Sequence, residues 1–118
     1  MAQKYIVNDI VMYKNRIHTI IDILASNGYE LSYVRHQVSP VRLSGVPLTP
    51  EILEKNGWRE EKGDYINDNY HIRLCEKIDG YSAYKVVNDA IVWLRDVESV
   101  SDLQHLLFGL ELNSEMEV

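Results

Sequence analysis

The sequence predicts an α+β protein in which a short helix separates two β-rich sections and a second helix closes the chain. Three observations support this class: a helix near residue 50 with its own start and stop signals, strand-like runs separated by turn residues on both sides of it, and an apolar stripe at helical spacing near the C-terminus. We predict one domain over 1–118. It comprises an SH3-like β section at 1–45, a helix, β-meander and C-terminal helix at 46–112, and a frayed acidic tail at 113–118.

The first helix has both of its ends marked in the sequence. Thr49 suits the N-cap, where its hydroxyl accepts a backbone N–H that lacks a helical partner, and Pro50 suits the first helical position. Glu51 and Glu54 favour the positive end of the helix dipole. Gly57 supplies the left-handed residue that commonly ends a helix, so we predict a short helix between Thr49 and Gly57.

The first section has the pattern of a tightly wound β-meander, because strand-like runs alternate with turn signals rich in Asn and Gly. The predicted strands are 6–13, 16–24 and 29–34 with a short run through Val41 and Leu43, and the turns are Lys14-Asn15 and Ser26-Asn27-Gly28. Several short strands in about 45 residues indicate a small SH3-like barrel, since closure removes exposed edges. An open meander is the alternative.

The second section returns to strands after the helix. The predicted strands are 58–61, 65–66, 70–75, 84–87 and 90–95, with turns at 62–64, 67–69, 79–80 and 88–89. In the run 70–75, alternation places Tyr70, Ile72 and Leu74 on one face and Cys75 on the opposite, polar face. We therefore predict a meander with one buried face.

The last element is predicted to be a helix capped by Ser99 or Ser101. Its apolar stripe should bury one side of the helix against the sheet. The stripe comprises Val100, Leu103, Leu106, Leu107 and Leu110.

Cysteine content and hydropathy bear on the cellular compartment. The only cysteine is Cys75, which excludes an internal disulfide and fits a reducing compartment. No apolar run approaches the roughly 20 residues needed to span a bilayer. Residues 1–5 lack the apolar segment of a signal peptide, so we expect a cytoplasmic protein.

Charge is unevenly distributed along the chain. The net charge is −6; residues 1–49 hold five basic and three acidic residues, and residues 50–118 hold seven basic and fifteen acidic residues. Non-specific phosphate binding by the whole chain is disfavoured, because nucleic-acid affinity depends largely on Lys and Arg. An acidic second section suits either solubility or a basic protein partner.

Two segments carry a resemblance. The run 46–53, Val-Pro-Leu-Thr-Pro-Glu-Ile-Leu, followed by Asn56-Gly57-Trp58, resembles the "PLT-x-E-x-L … G-aromatic" segment of small uncharacterised proteins encoded by phages and prophages of gut anaerobes. The run 100–110 is similar to their closing "VH-x-LQ-x-L" helix, with Ser101 where that pattern has His. The resemblance implies a mobile-element origin in a bacterial host, and it implies no activity.

The sequence contains no recognisable catalytic or cofactor motif. It has no G-x-S-x-G, Walker-type or G-x-G-x-x-G segment, and its histidines and cysteine lack paired metal-ligand spacing. We therefore expect a protein that is not an enzyme and that needs no cofactor or metal.

Tyrosine is over-represented: the chain has eight tyrosines and one phenylalanine. Tyrosine suits positions with one apolar and one wet side, including interfaces, although half-exposed strands favour it too. Tyr81 and Tyr84, beside a predicted hairpin turn, are candidates for an exposed contact pair. Glu60 and Glu61 are candidate partner-binding residues in the acidic section.

The first section offers an alternative. Basic and aromatic side chains there could form a nucleic-acid surface on a small β fold. The candidate residues for this alternative are Lys14, Arg16, Tyr29, Tyr33 and Arg35.

These observations favour a non-enzymatic phage or prophage protein that contacts a host or phage protein. One concrete form is an inhibitor of bacterial antiviral defence, such as an anti-CRISPR, whose acidic surface occupies a positively charged nucleic-acid channel. A nucleic-acid-binding module is the alternative.

Overall fold

Nine strands, all paired antiparallel, form two sheets in the computed structural model, which describes residues 5–25 and 28–118. Two α-helices accompany them in this described part, so the α+β class is confirmed. The chain divides into two compact units, 1–46 and 47–118, close to the predicted boundary between the β sections. The single domain over 1–118 stays a prediction.

The first unit contains a four-stranded sheet in the order β3-β2-β1-β4. Its strands are β1 (Ile10–Tyr13), β2 (Arg16–Ile23), β3 (Tyr29–Leu31) and β4 (Ser44–Gly45). The predicted turn Lys14-Asn15 joins β1 to β2, and both residues have positive φ, 49° and 63°. Two consecutive positive φ values are typical of the turn that matches strand twist in a tight hairpin. The predicted turn at Ser26-Asn27 lies outside the described residues.

The first sheet is open in the part of the chain that the structure describes, so the SH3-like barrel is not confirmed and the open arrangement is found instead. The predicted run through Val41 and Leu43 is not a strand. Pro40–Arg42 forms a 3₁₀ helix, closed by the N–H of Leu43 on the carbonyl of Pro40 over 3.1 Å. Proline has no N–H to give to a ladder, which favours this turn over a strand.

The first unit has its own core. Eight buried side chains, five of them from β1 to β3, form one apolar cluster. Alternation along the strands places these five strand residues on one face. The cluster comprises Tyr5, Val11, Tyr13, Ile20, Tyr29, Leu31, Val38 and Leu43.

The second unit contains a five-stranded meander in the order β5-β6-β7-β8-β9. Its strands are β5 (Arg59–Glu61), β6 (Asp64–Asn67), β7 (Ile72–Lys77), β8 (Gly80–Val87) and β9 (Ala90–Val97). Ile72 and Leu74 are buried and Cys75 is only partly covered, as the alternation predicts. The last two strands are longer than predicted: β8 begins directly at Gly80, and β9 continues to Val97.

Helix α1 (Pro50–Lys55) has the predicted caps. The Thr49 hydroxyl accepts the N–H of Ile52 over 3.3 Å, and Gly57 has a φ of 88°. The N–H of Trp58 donates to the carbonyl of Leu53, and that of Gly57 donates to Glu54. This pair of bonds is the Schellman ending, and the buried Leu53 and Trp58 supply the apolar residues that usually accompany it.

Helix α2 (Val100–Gly109) begins at a capping box. The Ser99 hydroxyl accepts the N–H of Asp102, and the Asp102 carboxylate accepts the N–H of Ser99. The predicted stripe is buried except at Leu110, which is 37% exposed because the helix has ended there. Within the described residues, no helix is long and apolar enough to cross a membrane.

The predicted frayed tail, 113–118, contains no helix or strand. It does make hydrogen bonds. The Asn56 amide exchanges two bonds with the backbone of Glu117, and Lys55 donates to the carbonyl of Val118 over 3.1 Å. Gln104 donates to the carbonyl of Ser114. The tail is thus tied to both helices of its unit.

Candidate functional site

The end of the β8–β9 hairpin exposes four large apolar side chains. They are Val87, Ile91, Val92 and Trp93, with exposed fractions of 48%, 61%, 53% and 58%. We call these four residues the hairpin surface. Ile91 and Trp93 lie on one face of the ladder and Val92 lies on the other, so both faces are open to solvent here. Contiguous exposed apolar residues commonly mark interaction sites.

A β-bulge marks where the hairpin surface begins. The register pairs Ala83 with Arg95 but Tyr84 with Trp93, so Leu94 is an extra residue in β9. A bulge re-aims the side chains beyond it and increases strand twist. Val97, which lies between the bulge and helix α2, is fully buried. Trp93, Val92 and Ile91, which lie between the bulge and the hairpin turn, are exposed.

Of the predicted tyrosine pair, only Tyr84 lies beside this surface. Tyr84 is directly opposite Trp93 and is half-buried. Tyr81 is 5% exposed and meets Tyr65 edge-on, with ring centroids 6.1 Å apart. The prediction of an exposed pair is therefore wrong for Tyr81. The side chains of Tyr81 and Ala83 share the buried face of β8, and burial raises the pKa of the Tyr81 hydroxyl.

The acidic pair Glu60 and Glu61 lies on β5, the opposite edge of the sheet. Glu60 is exposed, and its carboxylate accepts the N–H of Gly63 over 2.8 Å. Glu61 forms an ion pair with Arg59 at 2.8 Å, and Arg59 also binds Asp68 at 2.7 Å. One charge of the predicted acidic pair is thus partly neutralised within the sheet.

A polar network joins β7, β8 and β9 at the end of the hairpin that is away from its turn. Asp96 accepts hydrogen bonds from Lys77 over 2.9 Å and from Ser82 over 2.8 Å. These bonds lower the pKa of Asp96 and keep it ionised. Arg73 of β7 donates to Asp64 of β6 over 2.7 Å. Burial and the nearby Asp64 raise the pKa of the Cys75 thiol, which disfavours a reactive thiolate.

The nucleic-acid candidates of the first unit are only partly brought together. Lys14 lies in the β1–β2 turn and Arg16 directly follows it, and the Lys14 ammonium lies 5.4 Å from the centroid of the Tyr13 ring. The Tyr13 hydroxyl lies 3.2 Å from His36 Nε2, which brings the segment after Arg35 to this end of the hairpin.

The two tyrosines predicted for that surface differ. Tyr33 is fully exposed, and its φ is 63°. Tyr29 is 2% exposed and packs edge-on against Tyr5, so its predicted place on the surface is wrong. Tyr29 lies in the apolar cluster because alternation along β3 turns it and Leu31 to the same, inner face.

Metal-binding clusters and cavities are two other kinds of site that the described residues could form. No group of three His, Cys, Asp or Glu side chains there is arranged to hold a metal ion. A cavity of about 460 Å³ lies at the end of α1, lined by Asn56, Trp58, Leu107 and the tail residues Asn113 and Met116 among others. The tail itself forms one side of this cavity.

The sequence contained a signal for the hairpin surface. Residues 90–94 are five apolar residues in a row, whereas a strand with one buried face alternates. A continuous apolar run in a strand indicates either burial on both faces or an exposed apolar face. The sequence alone does not distinguish these two cases, because the fold determines whether other elements cover the strand.

No protein-family model, curated protein sequence or solved structure matches the chain.

Proposed function

We propose that the chain is a non-enzymatic, phage- or prophage-encoded binding protein that acts through protein–protein contact at the hairpin surface. The observation that carries this proposal is the set of four exposed apolar side chains at the end of one hairpin. Such residues are unfavourable in water unless something covers them. Tryptophan and tyrosine are also over-represented among the residues that dominate binding energies, and Trp93 and Tyr84 lie side by side here.

The charge of the second unit favours a basic partner. Residues 47–118 hold fifteen acidic and seven basic residues, because 47–49 carry no charge. Complementary charge accelerates encounter and selects among partners. Together with the phage resemblance, this supports a host or phage protein partner in the bacterial cytoplasm. One concrete form is an inhibitor of antiviral defence, anti-CRISPR-like, that occupies a positively charged nucleic-acid channel.

The proposal is tested by capture from a host lysate with the full chain, Trp93→Lys and Ile78→Lys. Ile78 is a matched control because it is fully exposed, apolar, in the same unit and outside the hairpin surface. We expect the full chain and Ile78→Lys to retain one specific protein, and Trp93→Lys to lose it. Retention by all three variants, or by none, contradicts the proposal.

The anti-defence form has its own test. Phage plating is compared on a CRISPR-immune host that expresses the full chain or Trp93→Lys. Restored plating with the full chain, and none with Trp93→Lys, is the expected result. Unchanged immunity with the full chain contradicts this form while leaving the protein–protein proposal to the capture experiment.

A nucleic-acid-binding module remains the second candidate, favoured by one observation. Lys14, Arg16, His18 and His36 surround the Tyr13 ring: His18 and His36 meet it edge-on at 6.0 and 6.3 Å, and Arg16 is its partner in the ladder. A compact basic group suits single-stranded nucleic acid, and Tyr33 is a fully exposed tyrosine in the same unit. Binding of a labelled oligonucleotide, measured across a salt series, tests it.

A further inference from the structure

The two edges of the five-stranded sheet are built differently. β5 has three residues, all charged, and its Arg59 is paired with Glu61 and Asp68. β9 has eight residues, and its first five are apolar. Short, charged edge strands resist pairing with another chain, and long apolar edges invite it. The sheet is therefore protected at β5 and open to pairing at β9.

Among the described residues, backbone pairing on the outer side of this edge is found only just after β9 ends. The N–H of Leu48 donates to the carbonyl of Glu98 over 3.3 Å, and Pro47 bridges to Ser99. Between residues 90 and 97, no described strand pairs with β9 on the side away from β8. Every second residue of an outer strand directs its N–H and C=O away from the sheet. The regular stretch before the bulge, 90–93, therefore presents unpaired backbone groups.

Charge decides what kind of strand fits this edge. Asp89 precedes the open stretch and Glu98 follows it, and both are exposed. Two of the nearby cations are paired with carboxylates: Lys77 binds Asp96, and Arg95 lies 3.5 Å from Asp102. The ammonium of Lys85 is held at the carbonyl of Tyr70 over 2.6 Å. The unit has fifteen acidic and seven basic residues, so its overall charge favours a basic strand at this edge.

A second copy of this chain is a poor occupant, because it would bring two acidic units together. A basic strand, in contrast, would be attracted to this acidic unit. Trp93 adds to this preference, since an exposed indole attracts Lys and Arg side chains over its face. An added strand that placed Lys or Arg beside Trp93 would make such a contact.

We propose that β9 accepts an extended segment of a basic partner protein as an additional strand, with apolar residues alternating with Lys or Arg. This inference rests on the proposed function and specifies the chemistry of the partner. Backbone hydrogen bonds to 90–93 provide affinity. The side chains of Val92 and Trp93 lie on opposite faces of the sheet, so each selects the residues of the added strand that lie on its own face.

The test uses the full chain and a capped nine-residue peptide in which Lys and Val alternate. Two control peptides are used: one has Glu in place of Lys, and the other is N-methylated at every residue, which preserves its charge and removes its backbone donors. The expected result is binding of the Lys/Val peptide with slowed amide exchange confined to residues 90–97. Both control peptides should bind at least about tenfold more weakly, a difference of about 1.4 kcal/mol.

Two variants complete the test. Val92→Lys places a charge on the edge, and Ile78→Lys adds the same charge at an exposed position outside it. Circular dichroism verifies that both remain folded. We expect Val92→Lys to lose the peptide and Ile78→Lys to retain it. Equal binding of the N-methylated peptide, or protection outside 90–97, overturns strand addition.

The outcomes separate this inference from the proposed function. If Trp93→Lys loses a captured protein but the Lys/Val peptide adds no strand, the contact is made by side chains and only the inference fails. A concentration-dependent dimer in sedimentation, abolished by Val92→Lys, would assign the edge to a second copy and overturn the inference.

Discussion

The side-chain amide of Asn56 pairs with the backbone of Glu117 at two points. Its Nδ2 donates to the Glu117 carbonyl over 2.7 Å, and its Oδ1 accepts the Glu117 N–H over 2.8 Å. The same Nδ2 donates to the carbonyl of Ile52 at the end of α1. A single side chain therefore joins the C-terminal tail to the first helix of its unit.

Asn56→Ala should release the tail. Removing these bonds should destabilise the protein by about 1 kcal/mol, since a net hydrogen bond contributes about 0.5–1.5 kcal/mol and this site is partly exposed. Amide exchange at Glu117 should accelerate, and carboxypeptidase should remove the tail faster. Asn113→Ala is the control, because the hydrogen bond that the Asn113 side chain accepts is local to the tail and comes from the N–H of Glu115. Equal effects of both variants would contradict the role of Asn56.

Leu103→Ala should be strongly destabilising. Leu103 is fully buried in the apolar stripe of α2, and a Leu→Ala change in a core typically costs about 2–5 kcal/mol. Urea unfolding followed by circular dichroism measures the loss. Phe108→Ala on the same helix is the control: Phe108 is 64% exposed, so its truncation should change the free energy of unfolding by less than about 0.5 kcal/mol. An unchanged midpoint for Leu103→Ala would contradict the packing of this helix.

The two helices end on left-handed residues of different kinds, and substitutions there should have opposite signs. Gly57 has a φ of 88° after α1, and Glu111 has a φ of 60° after α2. Gly57→Ala should destabilise by about 1 kcal/mol, because a side chain is strained there. Glu111→Gly should stabilise by up to about 1 kcal/mol by relieving the same strain. Thermal unfolding measures both, and the same sign for both would contradict this explanation.

Local signals of this kind were readable in the sequence. Thr49, Gly57 and the Lys14-Asn15 turn act through their own backbone and near neighbours, so their roles follow from residue type. The Ser99 cap belongs to the same class, whereas Glu111 does not, because nothing in its chemistry favours a left-handed conformation.

Exposure was less predictable, because it depends on what packs against a strand. Alternation identified the residues that share a face, but the inward direction of Tyr81 and Tyr29 is set by the cores of their units. The bulge at Leu94 could not be predicted either, because one extra residue in β9 does not change the amino-acid pattern of the strand. At the hairpin surface no described strand covers β9, so Trp93 is exposed whereas Tyr81 is buried.

Acid should weaken the network around Asp96. Hydrogen bonds from Lys77 and Ser82 lower its pKa below the ordinary value of 3.8 in the folded protein. The unfolded chain therefore binds more protons at this carboxyl, and its stabilising contribution is present above about pH 4 and is lost as pH falls through the lowered pKa. Asp96→Asn should flatten the decline in stability as the pH falls below about 4, measured by urea unfolding. An identical decline in this variant would contradict the assignment.

Charge variants separate the two candidate functions. If the acidic second unit faces the partner, changing Glu60 and Glu61 to Lys should lower the affinity for that partner. It should also make the affinity depend less on salt concentration. The loss should appear mainly in the association rate, because charged groups at the rim of an interface act chiefly on encounter. Surface plasmon resonance against the captured partner, at two salt concentrations, measures both quantities.

If the first unit binds nucleic acid instead, the opposite pattern is expected. Lys14→Ala and Arg16→Ala should reduce affinity for an oligonucleotide and flatten its dependence on salt, because each removes a cation that would displace a counterion from phosphate. The Glu60 and Glu61 reversal should leave that affinity unchanged or raise it. Each pair of variants is therefore the control for the other. If neither pair changes a measured interaction while Trp93→Lys does, the contact is confined to the hairpin surface, where large apolar side chains are exposed beside a strand edge that no described strand covers.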